Sequence, residues 1–195
     1  MIGYPNRKVM PTPAVKAQDN HMGRGMSLEN DLNDSNAYYC SCDRALIHKK
    51  PTPIQVVKVD YPERSAAKIT EAYYKTPSTT DYNGIYRGRA IDFEAKETRQ
   101  KTSFPFKSIH PHQIEHLKKV IQHGGIGFFI IRFTCFEETY LIDAAILIDM
   151  YYEGERKSIS YMKVKEVGSL IRMGLTPRLC YLDNVDALYF KEEKS

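Results

Sequence analysis

Apolar and polar positions change their period several times along the chain, and each change marks an element. Ser27 stands as a helix N-cap ahead of Leu28, Glu29, Asn30, Asp31 and Leu32, with acids at the positive end of the dipole, so a helix runs from there to near Cys40. Residues 45–48 read as a short strand. Lys49-Lys50-Pro51-Thr52-Pro53 is stiff and extended, because proline fixes its own torsion and restricts its predecessor. Alternation over 54–60 predicts a strand, and Pro62 opens a helix through Tyr74 with small or apolar Ala66, Ala67, Ile69 and Tyr73. From Asp81 to Glu97 the pattern is a β-hairpin turning at Arg87-Gly88. Pro111 begins a helix striped by Ile114, Leu117 and Ile121 and stopped by Gly124 and Gly125. The apolar run 126–133 reads as a central strand buried on both faces. A strand at 140–142, a helix at 144–152, an edge strand at 179–182 and a helical turn at 184–190 complete a mixed α/β domain.

Composition narrows the class. With 195 residues, 42% hydrophobic and 27% charged, the chain is long enough for one cored domain, and no apolar run reaches membrane-spanning length. Residues 1–20 carry no signal-like apolar stretch, which points to the cytoplasm. Cys40, Cys42, Cys135 and Cys180 complete no zinc pattern and read as reduced thiols. The net charge of +4 is mild, but its distribution is uneven: residues 1–24 hold Arg7, Lys8, Lys16 and Arg24 against Asp19 alone. They read as a flexible basic arm, with residues 25–195 as the folded domain. The stretch 49–76, with six Lys or Arg against three acids, reads as a protruding insertion that faces a polyanionic partner.

Candidate chemistry sits on the hairpin. On a strand, Glu94 and Lys96 share one face, and Asp81 on the neighbouring strand brings a second carboxylate toward Glu94. Two close carboxylates repel unless a divalent cation lies between them, and oxygen donors suit Mg²⁺ or Mn²⁺. Lys96 beside such a centre can offset charge on a phosphate, which is the equipment of phosphodiester hydrolysis. Taken alone, an E-x-K strand more often marks a solvated face. Asp92 shares the parity of Glu94, which makes it an alternative ligand position, but it is expected to be exposed. His110, His112 and His116 are expected on the surface of one helix, without zinc. No phosphate-binding glycine loop or acyl-transfer nucleophile elbow is present.

Longer words add to this. Gly-Met-Ser-Leu-Glu from Gly25, His-Lys-Lys-Pro-Thr-Pro from His48, Val-Asp-Tyr-Pro-Glu-Arg-Ser-Ala-Ala from Val59, Pro-Ser-Thr-Thr-Asp from Pro77, Asn83-Gly84, Ile-Asp-Phe-Glu-Ala-Lys-Glu-Thr from Ile91, Thr-Ser-Phe-Pro from Thr102 and His-Gln-Ile-Glu-His from His112 together resemble the RecU family of Holliday junction resolvases. The resemblance is dense from Arg24 to about His116 and thins after Gly127. It implies a restriction-endonuclease-like fold of the PD-(D/E)XK class, a mixed central sheet flanked by helices with a stalk, working as a homodimer. It further implies that Asp81, Glu94, Gln113 and Thr79 hold Mg²⁺, with Mn²⁺ as a substitute, and that Lys96 stabilises the transition state. Thr80 stands where the class name has proline, a departure the family shares. Glu29 lies where relatives in the wider class carry a further acid, and equally suits the helix dipole.

Arg24 on the arm, and Lys49 (with Lys50 beside it), Arg64 and Tyr74 on the stalk, match positions implicated in junction recognition. Cations contact phosphates and an exposed aromatic stacks on unpaired bases. Packing of the stalk for Tyr73 or Tyr74, and an ion pair to Glu63 or Glu71 for Arg64, are the plainer alternatives. The implied activity is symmetric nicking of four-way DNA in recombination and repair, leaving 5′-phosphate ends. A junction-binding modulator of the RecA recombinase that cuts little or not at all, and a restriction nuclease without a stalk, are the competing readings.

Overall fold

A computed structural model describes residues 27–62, 66–75, 77–153 and 157–190. The predicted arm and Arg64 lie outside them. Helix α1 (Leu28–Ser41) starts as expected: the Ser27 hydroxyl accepts from Asn30 N, and Glu29 and Asp31 occupy the first turn. Strand β1 (Leu46–Lys49) follows, then β2 (Ile54–Asp60), β3 (Lys68–Tyr74), β4 (Tyr82–Tyr86), β5 (Arg89–Thr98) and β6 (Ser103–Pro105). After a short 3₁₀ turn come α2 (Pro111–Gln122), β7 (Ile126–Phe133), β8 (Glu138–Asp143), α3 (Ala144–Glu153), β9 (Ser158–Ser160), α4 (Tyr161–Val167), β10 (Ser169–Leu170) and α5 (Tyr181–Tyr189).

Six strands form the central sheet in the order β1-β4-β5-β7-β8-β10. Only β5 and β7 are parallel, joined by the crossover that contains α2. All eight residues of β7 are buried, because side chains of alternating parity enter two cores. Phe93, Phe128 and Ile130 meet Leu28, Leu32, Tyr181 and Leu182 of α1 and α5. Phe129, Ile131 and Ile142 meet Ile114, Leu117, Leu147 and Val164 of α2, α3 and α4. The result is a mixed sheet with helices on both faces, as the resemblance implies.

The tight turn Arg87-Gly88 has positive φ at both residues (48° and 78°), the twist-matched conformation for a two-residue hairpin. At Gly84 the reason for glycine differs: a Cβ there would lie 2.0 Å from the Leu46 carbonyl oxygen across the β1–β4 ladder.

Two expectations are corrected. The helix expected from Pro62 to Tyr74 is instead β3, paired antiparallel with β2 from Ile54↔Tyr74 to Asp60↔Lys68. Every residue of β3 is exposed, so no helical stripe has a core to meet, whereas Ile69, Thr70, Tyr73 and Tyr74 suit a pleated ribbon. The edge strand expected at 179–182 is a single bridge, Met173↔Leu179, followed at once by α5, whose Tyr181, Leu182 and Val185 are buried. Helical spacing of those three against the first core overrides the short apolar run. No helix among the described residues is long and apolar enough to cross a membrane.

Candidate active site

The β4–β5 register brings Tyr82 opposite Phe93, so the next residue outward, Asp81, falls opposite Glu94. Asp81 precedes β4 by one residue, and its backbone N–H donates to Glu94 Oε2 at 3.2 Å. Glu94 is fully buried, and its Oε1 lies 2.5 Å from the Lys96 ammonium, two residues along the same face. Burial first, and the Asp81 side chain after it, push the Glu94 carboxyl up to about 8 against the opposing pull of Lys96. A carboxylate so costly to ionise among apolar neighbours needs cationic company, and the ammonium supplies one charge.

Beside this group a cleft of about 280 Å³ is walled by Ser27, Glu29, Lys49, Asp81, Lys96 and Glu97. Glu29 does not cap α1 through its side chain; its carboxylate pairs with Lys49 at 2.5 Å. That pair is solvent-facing and therefore weakly held. Thr79 is half-buried on the loop before Asp81, its hydroxyl donating to the Thr80 carbonyl oxygen at 3.4 Å. Gln113 is buried in the first turn of α2, and its Oε1 accepts the His110 N–H at 2.9 Å, leaving one lone pair of that oxygen. Among the described residues, Asp81, Glu94 and Lys96 are thus in contact. Thr79 and Gln113 make no hydrogen bond to them. No group of three or more His, Cys, Asp or Glu that could hold a metal occurs among the described residues, so a cation here would rest on amide or hydroxyl oxygen as well as the two acids.

Three placements differ from expectation. Asp92 is 7% exposed, not on the surface. It accepts from the Lys50 ammonium (3.0 and 3.2 Å) and Thr80 Oγ1, and pairs with His116 Nε2 at 3.0 Å. Its face of β5 is covered by α2, whereas an outward strand face was assumed. Lys50 consequently points into the domain, while Lys49 and Tyr74 stay outside, the tyrosine 84% exposed. The histidines lie on α2 as expected, with His110 exposed at its N-terminus, but His116 is half-buried against Asp92 and His112 is half-buried, its Nε2 without a hydrogen bond. The Asp92 network had one signal in the sequence, its shared parity with Glu94; its partners come from remote segments.

A sequence model of the family described as Recombination protein U, RecU, matches residues 23–187. The Holliday junction resolvase RecU of Shouchella clausii is 56% identical over 92% of this chain and 86% of its own length. The proteins of the same name from Bacillus mycoides and Bacillus cytotoxicus are 52% and 51% identical, each over 97% of this chain and 98% of theirs.

Proposed function

The chain belongs to the RecU family, and from that premise we propose that it is a Holliday junction resolvase, an endonuclease that cuts four-way DNA in recombination and repair. The observation that carries this reading is the buried Glu94 carboxyl held against Asp81 and Lys96 beside an open cleft. A protein that only bound junctions would have no use for a buried acid set against a second acid and a lysine beside a cleft.

Asp81 and Glu94, with Gln113 and Thr79, are the residues that would hold a divalent cation, Mg²⁺ with Mn²⁺ as substitute. The donor set fits: every candidate atom is a hard oxygen, and Glu94 Oε1 is buried with no hydrogen bond beyond its ion pair. When bound, the cation supplies Lewis-acid chemistry, polarising the scissile phosphate and easing deprotonation of the attacking water. Lys96, a compact charge at the cleft wall, offsets negative charge that grows on the phosphate oxygens. Glu94 orients Lys96, and the Asp81 N–H orients Glu94 in turn.

Outside the site, Lys49 exchanges its weak partner Glu29 for a DNA phosphate, and Tyr74 stacks on an unpaired base at the stalk. Arg24 and Arg64 complete the junction contacts. A symmetric homodimer, acting in the cytoplasm, places two such sites on one junction, so paired nicks leave 5′-phosphate ends.

The test compares a synthetic four-way junction with linear duplex of the same sequence, for the parental protein, Asp81→Asn and Glu94→Gln. The expected result is cutting of the junction only, lost at least 100-fold in both variants while junction binding persists. Equal cutting of duplex and junction removes the resolvase reading; parental rates in the variants remove the site.

A further inference from the structure

We infer that Asp92 is a positioning residue for the candidate metal centre, bracing the elements that carry Asp81, Glu94 and Gln113 through Thr80, Lys50 and His116. This rests on the endonuclease reading above and deepens it.

Three segments far apart in sequence meet at this one carboxylate. Thr80, itself buried, donates to Asp92 Oδ1 and is the residue immediately before Asp81. Lys50 donates to both Asp92 oxygens and to Thr80 Oγ1 at 3.1 Å, and its own backbone N–H donates to the Asp81 carbonyl at 2.7 Å. His116 reaches Asp92 from α2, three residues on from Gln113 and so on the same helical face. Asp92 itself is two residues from Glu94 on β5, pointing the same way. Asp81 is therefore braced twice, through the side chain before it and through its own carbonyl.

Stability alone gives little reason for such an arrangement. Buried ion pairs are often no more stabilising than apolar residues of the same size, and further along the same face of the β5–β7 pair, Phe129 and Ile131 are apolar. What the network does supply is geometry, since groups that orient the holders of a metal set its affinity by about 10–100-fold. Lys50 adds a further link. It begins the stiff segment leading into β2, and Lys75, just after β3, donates back to the Pro53 carbonyl at 3.0 Å. The base of the stalk is thereby fastened to the loop that carries Asp81.

The experiment measures Mn²⁺ affinity by electron paramagnetic resonance of the free ion, without DNA, for the parental protein, Asp92→Asn, Lys50→Met and the double variant. Melting temperature and junction affinity are measured alongside. Asp92→Asn is expected to weaken Mn²⁺ binding about tenfold or more and single-turnover cutting of the junction about as much. Its junction affinity should stay within threefold. The double variant, relieved of an unpaired, half-buried ammonium, should regain melting temperature over Asp92→Asn but not Mn²⁺ affinity. A role in stability only would be shown by Mn²⁺ affinity that follows melting temperature across the set, and that overturns the inference. So would a folded Asp92→Asn with parental Mn²⁺ affinity, or a folded Lys50→Met that keeps parental Mn²⁺ affinity and loses junction binding instead. A parental protein that neither binds Mn²⁺ nor cuts overturns the endonuclease reading instead.

Discussion

At the scale of single residues, Glu94 is where burial and charge disagree most. Its carboxyl sits near 8 in the folded chain, against 4.5 for an unperturbed glutamate, because burial penalises the anion more than Lys96 favours it. The folded state therefore holds its proton more tightly than the unfolded state does. By linkage this contribution to stability is complete below about pH 4.5 and is lost as pH rises through about 8. Thermal denaturation in chelator should show the metal-free protein losing stability over that interval, and Glu94→Gln should flatten the slope. An unchanged slope would mean that Glu94 is solvated in the free protein. Lys96 was legible as its partner because alternation on a strand puts residues two apart on one face. Burial was not, since parity names a shared face without saying what covers it.

Among the elements, β1, β4 and the exposed hairpin β2–β3 set what surrounds the Asp81–Glu94–Lys96 group. Among the described strands β1 pairs only with β4, and it carries Lys49 and leads directly to Lys50. Gly84→Ala would drive a methyl group into the Leu46 carbonyl, and the backbone shift should cost about 2–3 kcal/mol. Chemical denaturation measures this, and the variant should lose junction cutting in proportion to its unfolded fraction. The hairpin β2–β3 has almost no buried surface, so its exposed aromatics are available for contact. Tyr74→Ala should weaken junction binding by about 1–3 kcal/mol with linear duplex less affected, as titration of both DNAs would report. Equal loss on both would make Tyr74 a general contact. The ribbon itself was misread as helix because Ala66, Ala67, Ile69 and Tyr73 match a helical spacing in a segment with no core to test it.

At the scale of the whole molecule, the proposed division of labour is that stalk and arm would select the branch and acids on the sheet would cut it. Chelation of divalent cations should abolish cutting while junction binding, measured by mobility shift, survives. Loss of both together would mean that the cation organises the binding surface as well. Much of this was determined by the sequence alone. The periodicities set α1, the β4–β5 hairpin, α2 and the central β7, since amphipathic spacing, caps and paired positive-φ turn residues are local properties. Local order likewise marked Asp81, Glu94 and Lys96, which lie within one hairpin. Tertiary structure alone decided that Asp92 is buried, that Lys50 turns inward while Lys49 faces out, and that His116 pairs with Asp92. Each of those depends on which segment covers a given face of the sheet, and that is set by packing between residues 24 to 42 positions apart, a separation no local pattern encodes.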